Sequence, residues 1–182
     1  MYRGDFLQFS KVEICGVNTS KLKVLTNEEK QELLIKAKKG DKIAIASRNC
    51  ANWAVAYLAI ATYEAVVVSI LQDFKANDIA KLLEHSDSKM LFVGPYVWRE
   101  LQEEKLDSLS VILSMVDFSP LRSQDGMVVP SREDVDAIMK EKYPNGMTSD
   151  NVQYSVNPDD LALINYTSGS TGSPKGVMLN GR

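Results

Sequence analysis

Between residues 165 and 179 the chain reads NYTSGSTGSPKGVML, and residues 167–173 are without exception Gly, Ser or Thr. Gly169 and Gly172 can adopt positive φ and let the backbone come close to a ligand. A run of such residues can turn successive N–H groups inward as a nest for an anion. Thr167, Ser168, Ser170 and Thr171 add hydroxyl donors, and Lys175 adds a cation on a flexible stem suited to a phosphate. The chemistry these types permit is the cradling of a polyphosphate by preorganised donors and a positive charge. None of them is arranged as a nucleophile or a general base. On composition alone, a polar surface turn or linker accounts for the stretch slightly better. The spacing also departs from the Walker pattern, which needs Gly-Lys-Ser/Thr, whereas Lys175 stands between Pro174 and Gly176.

The elements that would position this stretch alternate from residue 41 onward. Residues 41–47 (DKIAIAS) form a short apolar run expected to be a strand, after which Asn49 can cap a helix to about Tyr63. Residues 65–71 read as a second strand. Residues 76–86 carry Ile79, Leu82 and Leu83 at the i, i+3, i+4 spacing of an amphipathic helix. A strand is expected over 89–93, a charged helix over 96–106, a strand over 110–116 and a loop over 117–130. Ser131 and Asp134 resemble a capping box opening a helix to about Lys142. After a polar stretch, residues 161–166 (LALINY) form a strand that runs into the Gly/Ser/Thr segment. Short apolar strands alternating with helices predict an α/β fold, a mostly parallel sheet with helices on both faces. Such sheets bind ligands beyond the carboxyl ends of their strands, which is where 167–172 falls.

Bulk properties narrow the function classes. A chain of 182 residues can bury one good core, and its formal net charge of −3 with no basic cluster gives no support for a nucleic-acid partner. Two cysteines, Cys15 and Cys50, indicate neither a disulfide framework nor a thiolate zinc site, and no metal ligands are assigned. The N-terminus has no signal-peptide core, so a cytoplasmic location is expected. The Asn18-Thr19-Ser20 and Asn165-Tyr166-Thr167 sequons are then chance matches. Residues 51–71 are long enough to imitate a membrane span, but Glu64 near the middle would cost roughly 2.5–3.5 kcal/mol there. Ala-rich before Glu64 and β-branched after it, the segment reads as a buried helix and a buried strand. No transmembrane segment is therefore expected, and peripheral membrane contact stays open.

The order of residues decides what composition leaves open. The string YTSGSTGSPKGV, residues 166–177, resembles the phosphate-loop signature of the AMP-forming adenylate enzymes, the acyl-CoA synthetases and their relatives. Agreement continues upstream in Gly40-Asp41-Lys42-Ile43-Ala44-Ile45, Asn49, Trp53 and Ala65-Val66-Val67-Val68. His85-Ser86-Asp87-Ser88-Lys89 followed by Leu91-Phe92-Val93 also stands in the family's order. The resemblance covers about residues 40–182 and is strongest to long-chain fatty-acid–CoA ligases. It implies a truncated N-terminal subdomain of the adenylate-forming fold. It also implies a two-step reaction in which a carboxylate attacks the α-phosphate of ATP with Mg2+, and coenzyme A then takes the acyl group. By position, Thr167, Ser168, Gly169, Ser170, Thr171 and Gly172 would hold the β- and γ-phosphates and Lys175 would help neutralise them. The adenine segment, the magnesium-binding glutamate, the ribose-binding aspartate and the catalytic lysine of the family have no counterpart in these 182 residues. The polypeptide alone is therefore expected to form no acyl-adenylate.

Three positions depart from the family pattern. Glu64 stands where glycine is common, at a helix end; a left-handed conformation there would cost on the order of 1 kcal/mol. Ser69 replaces a usual proline, and Asn180-Gly181 replaces a pair that normally includes a polar residue and histidine. The N-terminus departs altogether. Lys11 to Leu22, with Val24-Leu25 and Asn27-Glu28-Glu29, resembles the start of late-forespore, sigma-G type RNA polymerase sigma factors, up to about Gly40-Asp41. Residues 1–40 are accordingly expected to form a separate segment with one helix, capped by Thr26 and Glu29 and stopped by Gly40, ahead of a partial AMP-binding subdomain over 41–182. That segment lacks what would melt or read a promoter. The remaining candidates are expected to be structural. His85, the sole histidine, reads as a surface residue, and Trp53 and Tyr57 at i, i+4 as core. Cys15 and Cys50 read as inert thiols, and Glu100, Glu103, Glu104 and Asp107 as a solvated face.

Overall fold

A computed structural model describes residues 13–14, 17–18, 38–124, 129–146, 148, 157–168 and 174–181 of the chain. The expected helix before Gly40 lies outside these residues. Two short strands, β1 (Glu13–Ile14) and β2 (Val17–Asn18), pair antiparallel. The rest is one seven-stranded sheet with its helices. Along the chain these are β3 (Lys42–Ala46), α1 (Ala51–Thr62), β4 (Val66–Ile70), α2 (Ala76–His85), β5 (Ser88–Val93), α3 (Pro95–Leu101) and β6 (Val111–Ser114). They are followed by β7 (Pro120–Ser123), α4 (Arg132–Lys142), β8 (Leu161–Thr167) and β9 (Lys175–Asn180).

The sheet order is β7-β6-β5-β3-β4-β8-β9. The five inner strands are parallel, and an antiparallel strand closes each side. From β3 the chain steps one way to β4, then crosses back to β5 and continues to β6. That reversal packs α1 and α2 on opposite faces. Ala56 and Ile60 of α1 meet Ile43, Ile45, Val67 and Phe92, whereas Ile79, Leu82 and Leu83 of α2 meet Ala44, Val68 and Leu91. β3 is buried on both faces from Ile43 to Ala46, which is why its sequence is a continuous apolar run. The apparent membrane span divides as expected into α1 and β4. Among the described residues no helix is long and apolar enough to cross a membrane.

Glu64 is what separates the two. It has φ 65°, and the backbone closes as a Schellman motif, with Ala65 N–H donating to the Ile60 carbonyl and Glu64 N–H to that of Ala61. The departure from glycine therefore falls on a left-handed position. A 2.7 Å ion pair joins Lys39 to Glu64, and Gly40, itself at φ 82°, donates its N–H to the Glu64 carbonyl.

Some boundaries differ from the expectation. The N-cap of α1 is Cys50, not Asn49; Cys50 is the last extended residue (φ −151°), and its side chain makes no cap hydrogen bond. The helix expected over 96–106 ends at Leu101. Val97 and Leu101 keep one face, but the next position in phase is Lys105, and Leu106 is buried from a turn instead. Residues 117–130 are not all loop: Pro120–Ser123 pairs antiparallel with β6. All four residues of β7 are exposed, so no apolar alternation marks it, and its proline stands at the first position of an edge strand, where no ladder donor is lost. The capping box of α4 is present as read: Asp134 N–H donates to Ser131 Oγ, and the Asp134 carboxylate accepts from Ser131 N–H at 3.0 Å.

Candidate functional site

β8 runs parallel to β4, so the Gly/Ser/Thr segment leaves the sheet at the same edge as the carboxyl ends of β3, β4, β5 and β6. β9 then returns antiparallel, with Tyr166 opposite Gly176 and Thr167 opposite Lys175. The hairpin therefore brings together Thr167 and Lys175, two of the residues singled out from sequence, at its base. Both are exposed, as is Ser168 next to them. Gly169, Ser170, Thr171 and Gly172 lie outside the described residues. The donors that are described sit at the mouth of the hairpin, where an anion between Thr167 and Lys175 would find a hydroxyl and an ammonium.

The base of the hairpin is built from two residues whose role sequence reading did not assign. Tyr166 is 2% exposed and belongs to the core cluster shared with α2. Its hydroxyl is hydrogen-bonded to Nδ1 of His85 at 2.7 Å, and the rings meet edge-on at 6.0 Å. Burial raises the phenol above its ordinary value near 10. Gly176 lies against the Tyr166 ring: a Cβ there would come to 3.0 Å from Tyr166 Cε1 and 3.3 Å from Ile164 Cγ2. Glycine after Lys175 thus serves cross-strand packing of an aromatic ring, a pairing known to rescue glycine in sheets. The signal was present in the alternation Ile164, Tyr166 combined with a hairpin register, but only the register identifies residue 176 as the partner.

A second feature occupies the same edge. Where the chain reverses between β3 and β5, a cleft of about 400 Å³ opens, lined by Ser47, Arg48, Asn52, Gly94, Tyr96 and Met115 among others. This is the topological switch point of the sheet. Gly94 packs closely there: a Cβ would stand 2.7 Å from Ser47 Oγ and 3.1 Å from Ser47 Cβ, so any side chain at 94 would have to displace Ser47. Asn52 spans the cleft and donates from Nδ2 to the carbonyls of Met115 and Val116 at 2.9 and 2.6 Å. Two strand spacings, about 10 Å, separate β3 from β8. Trp53 and Tyr57 stack at 5.4 Å and pack half-buried against the core, as expected. His85 is exposed as a residue, as read from sequence, yet its Nδ1 is held by Tyr166. Cys50 is an exposed free thiol. Among the described residues, no group of three His, Cys, Asp or Glu side chains could hold a metal ion.

Fold and site together define a doubly wound α/β unit carrying a Gly/Ser/Thr hairpin at the carboxyl edge of its sheet. The family model for AMP-binding enzymes matches residues 32–182. The chain is 32% identical over 145 residues to fatty acyl-CoA synthetase A of Dictyostelium discoideum, covering 78% of this chain and 21% of that protein. It is 26% identical over 156 residues to the acyl-CoA ligase sidI of Aspergillus fumigatus, covering 78% and 25%. A mutant form of coronafacic acid ligase from Pectobacterium brasiliense superposes with a TM-score of 0.64 at 21% identity, over 91% of this chain and 30% of that one. The chain belongs to the AMP-binding enzyme family. It spans between a fifth and a third of the length of these relatives. The family match begins at residue 32, somewhat before the residue-40 limit of the resemblance read from motifs.

Proposed function

We propose that the chain is the N-terminal, phosphate-loop-bearing part of an ATP-dependent, AMP-forming acyl-CoA ligase acting on long-chain fatty acids in the cytoplasm. In that reaction a substrate carboxylate oxygen attacks the α-phosphorus of ATP and pyrophosphate leaves. The thiol of coenzyme A then attacks the acyl carbon and AMP leaves. Thr167 to Gly172 would hold the β- and γ-phosphates, with Lys175 lowering the cost of gathering their charge. Magnesium would be held mostly by residues outside this sequence. The observation that carries the reading is the pairing of Thr167 with Lys175 at the carboxyl end of a parallel strand. The long-chain assignment draws on the names of the relatives, several of which are fatty-acid–CoA ligases.

Within this reading residues 41–182 form the partial AMP-binding subdomain. Residues 1–40, read from sequence as sigma-factor-like, would form a separate N-terminal segment with no part in transcription. Retention of RNA polymerase core by the purified chain would contradict that restriction.

Calorimetric titration tests the site. ATP or pyrophosphate should bind weakly, and Lys175→Ala should weaken binding roughly tenfold or more, the loss of one charge-assisted contact. Because Lys175 is exposed, the same variant should keep its stability within about 0.5 kcal/mol. The 182-residue polypeptide alone should release no pyrophosphate from ATP and fatty acid; measurable release would overturn its assignment as catalytically incomplete. Binding that Lys175→Ala leaves untouched would move the nucleotide site away from the hairpin and favour a non-catalytic binding module.

A further inference from the structure

We infer that His85 is a positioning residue for the β8–β9 hairpin, holding the base of the loop through the hydroxyl of Tyr166. Little else holds that base. The ladder between β4 and β8 ends at Ser69 opposite Asn165. Tyr166 and Thr167 extend past it, and their remaining strand partner is β9. β9 is exposed along its whole length and ends the sheet. A strand end supported only by an exposed edge strand opens easily.

Among the described residues, the Tyr166 side chain ties the Thr167 end of β8 to the core. Its ring is buried in the cluster formed with α2 and lies across Gly176, so it touches both strands. Its hydroxyl meets His85 Nδ1 at 2.7 Å. His85 is a firm anchor because the end of α2 is itself pinned. Leu82 and Leu83 are buried, Ser86 N–H donates to the Leu82 carbonyl, and Ser86 Oγ donates to the Leu83 carbonyl at 3.1 Å. Ser86 and Ser88 hydroxyls, both buried, share a further hydrogen bond of 2.7 Å that binds the helix end to β5. A chain of contacts therefore runs from the buried Ser86–Ser88 pair at the end of α2 and the start of β5, through the exposed His85, to the buried Tyr166 and the exposed Thr167–Lys175 pair beside it. Its effect on ligand binding rests on the proposed phosphate role of that pair. Its effect on the hairpin does not.

Two readouts on the full chain separate the two claims: amide hydrogen exchange in residues 163–167 and 175–179, and pyrophosphate titration. His85→Ala should speed exchange in both hairpin strands about fivefold, the value of one ordinary hydrogen bond, while β3 and β5 keep their wild-type rates. Pyrophosphate affinity should fall by about the same factor. His85→Asn, whose side-chain amide can reach the Nδ1 position, should restore both to within about twofold. In a Tyr166→Phe background, His85→Ala should add nothing further, because the two residues act as a unit.

Wild-type exchange rates in His85→Ala would overturn the inference. So would a loss spread evenly over the whole sheet, or a His85→Asn variant no better than alanine. If the wild-type chain binds no pyrophosphate, the proposed function fails while the exchange data still decide whether His85 positions the hairpin.

Discussion

β3 and β8 end at the same edge of one sheet in opposite circumstances. β3 is paired along its length with β4 and β5, is buried on both faces, and feeds α1 within a few residues. β8 pairs with β4 over three residues only and hands the chain to a strand that is exposed throughout. The first arrangement makes a rigid wall and a shaped cleft. The second leaves the carboxyl end of β8 with an exposed edge strand beside it, attached to the wall by Tyr166. One sheet thus combines strands held on both sides with a strand end held on one side by an exposed edge, where local opening costs less.

The largest test of this contrast compares Ile45→Ala with Met178→Ala. Ile45 is fully buried and Met178 is 70% exposed. Urea denaturation should give a loss of about 2–5 kcal/mol for the first and a change within about 0.5 kcal/mol for the second. Comparable losses would show that β9 is as integral to the fold as β3. An intermediate effect is expected at the joint between the two regions. Gly176→Ala must push the Tyr166 ring aside and should cost about 1–3 kcal/mol, and Tyr166→Ala in the same chain should abolish most of that penalty. Full additivity of the two substitutions would mean that the ring does not hold the strands together. The smallest effect lies in the rigid half. Glu64→Gly and Glu64→Ala both remove the ion pair with Lys39, so their difference isolates the left-handed backbone, and the glycine variant should be more stable by about 1 kcal/mol. Equal stabilities would mean that φ 65° carries no strain at this position.

The core strands were legible because burial on two faces leaves one solution, a short apolar run bounded by turn residues, as in Ile43–Ala46 and Val66–Ile70. α2 was legible because Ile79, Leu82 and Leu83 repeat at helical spacing. β7 was not, since an edge strand with four exposed residues is held by backbone pairing that carries no side-chain signature. The early end of α3 was also hidden, because charged residues after Leu101 suit a helix in isolation and only the docking of Leu106 draws the chain into a turn. At the hairpin, type and order singled out Thr167, Ser168 and Lys175, and the strand register sets Thr167 opposite Lys175. His85 and Gly176 were not, because each acts through a residue distant in sequence or across a strand.

By itself, then, the sequence determined the α/β class, the central strands, the helix-to-strand break at Glu64 and the family-typical phosphate-loop string. All of these are encoded locally, in residue type, spacing and order. Tertiary structure alone decided that β4 and β5 flank β3 and that the chain's reversal there opens a cleft. It also decided that Tyr166 stands over Gly176 and that His85, eighty-one residues earlier, closes on the Tyr166 hydroxyl. Those outcomes depend on strand order and register, which are set by how apolar faces from separate elements are buried together. No window along the chain contains both partners.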